Sequence, residues 1–429
     1  MSIMRWNVAL RSTCARRAVL GATIVALWLG PAAANFTVLY AFTGGSDGAD
    51  PGAPLLLGAD GSLLGTASGG ARGNGVVFKL SPASSASWSL TVLYTFPNSP
   101  PALSVNPGLA VDGQGRLYGS ANESQTGFAF SLAPPISLGS WTFSWLATFP
   151  GVDSRYGGGP TGVLVVDRAG NVTGVTQAGG DQSGQFPCQC GVAYELPATT
   201  AGRRAEDVLY TFTSVPNGDV PVAGLTPGAT ADVFYGTTWL GGTGQCLDGS
   251  DVTVVGCGTV YRLARSEGVW PGVWAETTLY SFRTHEGNQP VDPVVLRPDG
   301  ALYGFAGVDV YRLAPEAGGH WRKRTIYSFP GGITGTAPTG APVFDEAGNM
   351  YGATRSFGVN GPATVFRLSP PEVASEQWTA TTLATLPGGF NAPQPWGGVI
   401  RGPDGKLYGA ARQLGAETHP PGYIFAVTP

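Results

Sequence analysis

One short phrase recurs seven times along this 429-residue chain, and it limits the folds open to the chain more than any other feature. "GSLLGTASGG" (61–70), "GRLYGSA" (115–121), "GNVTGVTQAGG" (170–180), "VFYGTTWLGG" (233–242), "GALYGFAG" (300–307), "GNMYGATRSFG" (348–358) and "GKLYGAA" (405–411) are versions of one unit. Each follows an apolar run that ends in a turn, such as "PGLAVDGQG" or "TGVLVVDRAG". Each precedes a second apolar alternation, such as "GTVYRL" or "ATVFRL", and then "LYTF" or a relative of it. Four short segments with a period of two, separated by turn residues, make one repeat of four strands.

The landmark residue of the last segment falls at Leu39, Leu93, Leu146, Leu209, Leu279, Ile326 and Leu383. A four-stranded unit cannot bury both of its faces alone, so repeated units must cover one another. Seven of them predict an all-β fold, a seven-bladed β-propeller with strands A, B, C and D in each blade. The 66 glycines, 35 prolines and 12% charged residues fit short strands and many turns. The first segment, "FTVLYAF", is of D type and the last, "GYIFAV", is of C type. The ring is therefore expected to close by the N-terminal strand completing the last blade, which leaves no open sheet edge there. Trp88, Trp141, Trp274, Trp321 and Trp378 each stand five residues before a landmark and are expected to pack between blades.

Residues 1–34 read as a signal peptide. Arg5, Arg11, Arg16 and Arg17 lead into an apolar run of Ala18–Leu29 and then Ala32-Ala33-Ala34. Cleavage near Ala34 would leave 35–429 as a single seven-repeat domain, secreted, periplasmic or at the cell surface. It would remove four arginines and no acids, moving the formal charge from −4 to −8. An acidic chain without clustered Lys or Arg is not expected to bind nucleic acid. No apolar tail follows residue 400, so no membrane span is expected once the signal is cleaved.

Outside the signal the cysteines are Cys188, Cys190, Cys246 and Cys257, an even set that suits disulfides in an exported protein. Cys246 with Cys257 is the preferred pair. Cys188 and Cys190 stand so close in sequence that a bridge between them is expected to be strained, and cross-pairing stays open. Zinc ranks below disulfides, because the spacing matches no familiar ribbon.

The unit "DxxGxLYGTTxxGG…GxVFxL", followed by "LYxF", resembles the GloVer repeat of exported bacterial choice-of-anchor tandem-repeat proteins over about the whole chain after residue 34. Tyr235-Gly236-Thr237-Thr238 with Gly241-Gly242 matches it best. Repeats 2, 5 and 7 lack the Gly-Gly pair. The resemblance implies an exported propeller and brings no activity to particular residues.

Long D–A and B–C loops would cluster at one end of a propeller, around the channel mouth. The candidate binding residues there are Asp47, Asp50, Asp219, Trp239, His285 and Trp396. Trp239 and Trp396 could stack on a sugar or peptide. Asp47 with Asp50, Asp219, and Asp248 with Asp251 could offer oxygens to Ca²⁺, although none fits an EF-hand and turn formation explains them as well. No other cofactor is implied. "GGSDG" (44–48) has the letters of a nucleophile elbow around Ser46 but lacks the strand-to-helix setting. His285 and His419 could reach the mouth, whereas His320 falls at the opposite end. The leading expectation is a non-catalytic exported protein that binds a glycan, peptide or protein partner at its long-loop face. The alternative is an extracellular carbohydrate-active enzyme using acids such as Asp47 and Asp219.

Overall fold

The computed structural model describes residues 36–69, 75–84, 87–97, 108–123, 125–137, 139–180, 188–198, 207–247, 254–266, 273–284, 289–330, 336–355, 362–372, 377–387, 393–413 and 421–429. These form seven four-stranded antiparallel sheets, the blades of an all-β propeller. Blade 1 takes Leu56–Leu57, Leu63–Ala67, Val76–Ser84 and Ser87–Thr95 as strands A to D. Blades 2 to 6 repeat that order, from Ala110–Val111 in blade 2 to Thr379–Thr385 in blade 6. Blade 7 has Val399–Arg401, Leu407–Ala411 and Tyr423–Val427, and its fourth strand is Phe36–Ala41. That strand pairs antiparallel from Phe36↔Val427 to Ala41↔Tyr423, so the ring closes as the segment order predicts.

The core is divided among the joints. Seven clusters of buried side chains each span two neighbouring blades, including the 7/1 joint that holds Phe42, Phe78, Tyr408 and Ile424. Phe42, Phe96, Phe149, Phe212, Phe282 and Phe329, each at or just past the end of a D strand, meet a C-strand ring of the following blade at centroid distances of 4.8–5.3 Å. At the 6/7 joint Leu386 takes this place beside Phe425. Of the D-strand tryptophans, Trp88 meets Tyr408, Trp321 meets Tyr235 and Trp378 meets Tyr303 across joints. Trp274 differs, stacking on Phe234 of its own blade at 5.7 Å.

The same C-strand ring explains the glycine of the repeated phrase. In all seven blades it crosses directly over that B-strand glycine. A Cβ on Gly65 would stand 2.6 Å from Phe78 Cζ, on Gly119 2.7 Å from Phe130 Cζ, and on Gly352 2.5 Å from Phe366 Cζ. No L side chain fits beneath the ring, so close approach rather than turn geometry selects glycine here.

The A–B turns are built by Asp side chains. Asp112 accepts from the Gln114 and Arg116 N–H groups and from Tyr118 Oη, and Asp345 and Asp404 make matching bonds to Tyr351 and Tyr408.

Two substitutions test this packing by urea unfolding. Gly119→Ala should lower stability by about 1–3 kcal/mol, because the added methyl forces Phe130 away from Phe96. Tyr261→Phe should be neutral or slightly stabilising. The Tyr261 hydroxyl is fully buried with no hydrogen-bond partner, and removing it removes a desolvated polar group.

Candidate functional site

Antiparallel order sends every D–A and B–C link to one end of the ring. The sequence-derived candidates that fall on described residues meet different fates there.

Asp47 is buried, and its carboxylate is spent on its own loop. It accepts from Tyr40 Oη at 2.9 Å, Thr43 N at 2.8 Å, Thr43 Oγ1 at 2.5 Å and Gly45 N at 3.2 Å. Burial alone would raise its pKa, but the Thr43 and Tyr40 bonds hold it below the usual range. Asp50 accepts from Gln413 N of blade 7 at 3.1 Å. Burial raises its pKa, opposed by that bond and by the Arg412 charge. Asp47 and Asp50 thus serve different partners and do not form a Ca²⁺ cage. Asp219 exchanges backbone hydrogen bonds with Leu240, locking the D–A loop onto the B–C loop beside Trp239. Its carboxyl is raised by burial, with Ser214 and the Val220 N–H opposing. His285, His419, Asp248 and Asp251 lie outside the described residues. Among the described residues, no group of three or more His, Cys, Asp or Glu side chains converges to hold a metal ion.

The cysteines pair as Cys246–Cys257, Cα atoms 5.0 Å apart, and Cys188–Cys190, 5.1 Å apart. The second pair corrects the expectation that cross-pairing stays open. The chain bends at the exposed Gln189, and this brings the two Cα atoms into the ordinary disulfide range. Both pairs bear on inter-blade cores, which explains their place in the longest repeats.

Trp239, 39% exposed, forms one wall of a cleft of about 260 Å³ running along blades 4 to 6 at the channel mouth. Asp292, Phe305, Pro338 and Arg355 line it with Trp239. The Asp292 Oδ1 accepts the Gly340 N–H of blade 6 at 2.8 Å. Burial pushes its carboxyl up to about 7, against that bond and the Arg355 charge. Arg355 in turn is lowered by burial, with Asp292 opposing.

Arg355 also reaches Trp396. Its Cζ stands 4.2 Å from the centre of the indole, and the Arg412 Cζ stands 4.1 Å from the same ring. The Trp396 backbone is fixed by a bond from its N–H to Gln394 O and by one from Thr339 Oγ1 to its carbonyl. Gln394 and Arg412 exchange two backbone hydrogen bonds, so both supports of the ring are rigid. Two cations share one aromatic face system, flanked by Asp292 on one side and Asp50 on the other. A second groove, about 350 Å³, lies between blades 4 and 5 at Arg262, Thr277, His320 and Trp321, away from this convergence of charge.

Asp292, Arg355 and Arg412 are absent from the sequence-derived candidates, yet superposing the repeats marks them. Three residues before the A-strand partner of the residue that precedes the B-strand glycine stand Ala53, Pro107, Gly162, Ala223, Asp292, Gly340 and Gly397, so blade 5 alone carries a carboxylate. Three residues after the B-strand glycine stand Ser68, Asn122, Gln177, Trp239, Gly307, Arg355 and Arg412. The chemistry sits where the units differ from one another.

No family model matches the chain, and no curated protein matches it. Among solved structures it is similar to a streptogramin B lyase, at 18% identity over 92% of this chain and 99% of that one, with a TM-score of 0.54. It is also similar to a catalytically inactive virginiamycin B lyase from Staphylococcus aureus with quinupristin, at 13% identity over 92% and 99%, TM-score 0.53. A fungal alcohol oxidase of the AA5 family in complex with copper matches at 13% identity over 92% and 76%, TM-score 0.53. At these identities the likeness establishes the fold alone.

The raised Asp292 carboxyl has a measurable consequence. It holds its proton in the folded chain up to about pH 7, whereas the unfolded group, with its ordinary value of 3.8, releases it earlier. Between those values the folded state binds more protons, so stability should fall as pH rises from about 4 to about 7. Asp292→Asn should flatten that slope in urea titrations at successive pH values. Glu276, also pushed up to about 7 by burial, accounts for the part that persists.

Proposed function

We propose that this propeller binds an extracellular glycan in the mouth cleft between Trp239 and Arg355, without turning it over. One observation carries the reading. A half-exposed indole, a protonatable carboxyl and a guanidinium converge on one cleft at the end where the long loops emerge. Sugars are gripped by this combination, in which an aromatic face takes the ring and a few polar groups fix its hydroxyls. At about 260 Å³ the space lies below the roughly 300–1,000 Å³ of drug-sized sites, which suits a short stretch of a chain-like ligand. Export supports the choice of an outside ligand, and it rests on the basic and apolar residues ahead of Ala34. The likeness of the repeat to the GloVer unit accords with an exported, surface-facing role.

A catalytic reading draws on a single feature, the Asp292 carboxyl that stays protonated to about pH 7 inside the cleft and so could act as a general acid. Among the described residues that line the cleft, Asp292 is the one carboxyl. Asp47 and Asp219, the acids first considered for that role, are both tied into loop structure.

A glycan and peptide array probed with the secreted protein tests the binding reading. Trp239→Ala should lower retention of the bound glycans at least tenfold and leave the thermal midpoint within a few degrees. Unchanged retention removes the cleft from the binding site. Release of shortened sugars, abolished by Asp292→Asn, would replace the binding reading with the catalytic one.

A further inference from the structure

We infer that the glycan held at this mouth is acidic, an oligosaccharide of uronic acids, and that Arg355 with Arg412 receives its carboxylate beside Trp396. The inference rests on the cleft-binding reading above and names its ligand class.

Two guanidiniums brought to one indole repel each other, and each is lowered by burial. In Arg412 the Asp50 charge opposes that lowering and the Arg355 charge adds to it. Arg412 makes no ion pair among the described residues, and its Nε, like the Trp396 Nε1, is shielded from solvent without a hydrogen-bond partner. Burial raises both Asp292 and Asp50, and each carboxylate accepts a backbone N–H. A buried guanidinium whose Nε has no partner, held against the same indole as a second guanidinium, is costly by itself, and an incoming anion offsets that cost. The guanidinium fork matches a carboxylate in two parallel hydrogen bonds. The chain as a whole carries a formal charge of −4, so this cationic pair runs against its average.

The walls favour a sugar over an acidic peptide. Peptides commonly bind by adding a strand to an open sheet edge. Here the inner A strands abut their neighbours too closely for that. A Cβ on Gly340 would lie 2.6 Å from Gly398 Cα, and one on Gly162 would run into the Gly224 backbone. What the mouth offers instead is the Trp239 ring, the Pro338 ring and the guanidinium of Arg355 along one cleft. Stacked pyranose rings with a carboxylate on the chain fit that order of surfaces.

Calorimetry on the full exported protein distinguishes the outcomes. The probes are hexamers of galacturonate, mannuronate and glucuronate, each with its methyl ester, which keeps the sugar and removes the charge. At least one acid hexamer should bind tenfold or more tightly than its ester. Arg412→Gln should weaken the acid tenfold and bring the acid-to-ester ratio down toward one, and Arg412→Lys should restore part of the loss. Should Arg412→Gln not fold, the acid-to-ester ratio of the unaltered protein still decides. Equal binding of acid and ester, lost in Trp239→Ala, would overturn the acidic ligand and keep the cleft reading. Binding of an acidic peptide with no hexamer bound, or binding of nothing in the panel by a protein that also fails the glycan array, would overturn both.

Discussion

The fold depends on a steric constraint met seven times, the tip of an aromatic ring of strand C standing directly over a glycine of strand B. The ring can be there only because the glycine has no side chain, and it then meets the residue that follows or ends the D strand of the preceding blade, a phenylalanine at six joints and Leu386 at the seventh. Within-blade packing and blade-to-blade packing are therefore one contact. This is why the core comes as seven clusters at joints rather than as a single centre. A change in one glycine is felt in the neighbouring blade as well as its own.

A scaffold built this way is free to vary wherever the contact is not involved. The residue at or just past the end of strand B and the residues just before strand A face the channel mouth and take no part in the glycine contact. There the repeats diverge into Trp239, Asp292, Arg355, Trp396 and Arg412. Their backbone is nonetheless held by the ring. Thr339 fixes the Trp396 carbonyl, Gly340 takes the Asp292 carboxyl, and Gln394 pairs with Arg412. Rigid support beneath variable side chains is what lets a shallow cleft discriminate between ligands.

Much of this was readable from the letters. Period-two alternation, the seven landmarks and the D-type start against the C-type end give the blade count and the closure, because these follow from local patterning. Asp112, Asp345 and Asp404 read as turn residues and are so. The site was less legible. Asp47 and Trp239 look alike as loop residues, and only coordinates tell that one carboxylate is consumed by Thr43 and Tyr40 while the other side chain faces a cleft. Arg355 and Arg412 are 57 residues apart, and their meeting over Trp396 is a property of adjacent blades that no spacing rule encodes. The choice of Cys188–Cys190 over cross-pairing stayed open for a similar reason, since sequence alone does not say which of the four cysteines come within disulfide distance.

The pairing of Phe36–Ala41 with Tyr423–Val427 joins positions almost four hundred residues apart. Contacts of such long range form late, because loop-closure entropy must be met before they contribute. A chain emerging from the ribosome therefore carries an unsatisfied strand from its beginning until its final segment is made. Until then the edge of Phe36–Ala41 that receives Tyr423–Val427 has no occupant, and an intruding strand from another molecule could take the place. A latch of this kind makes closure of the circle wait for Tyr423–Val427, with chains cut short before that strand left open and adhesive.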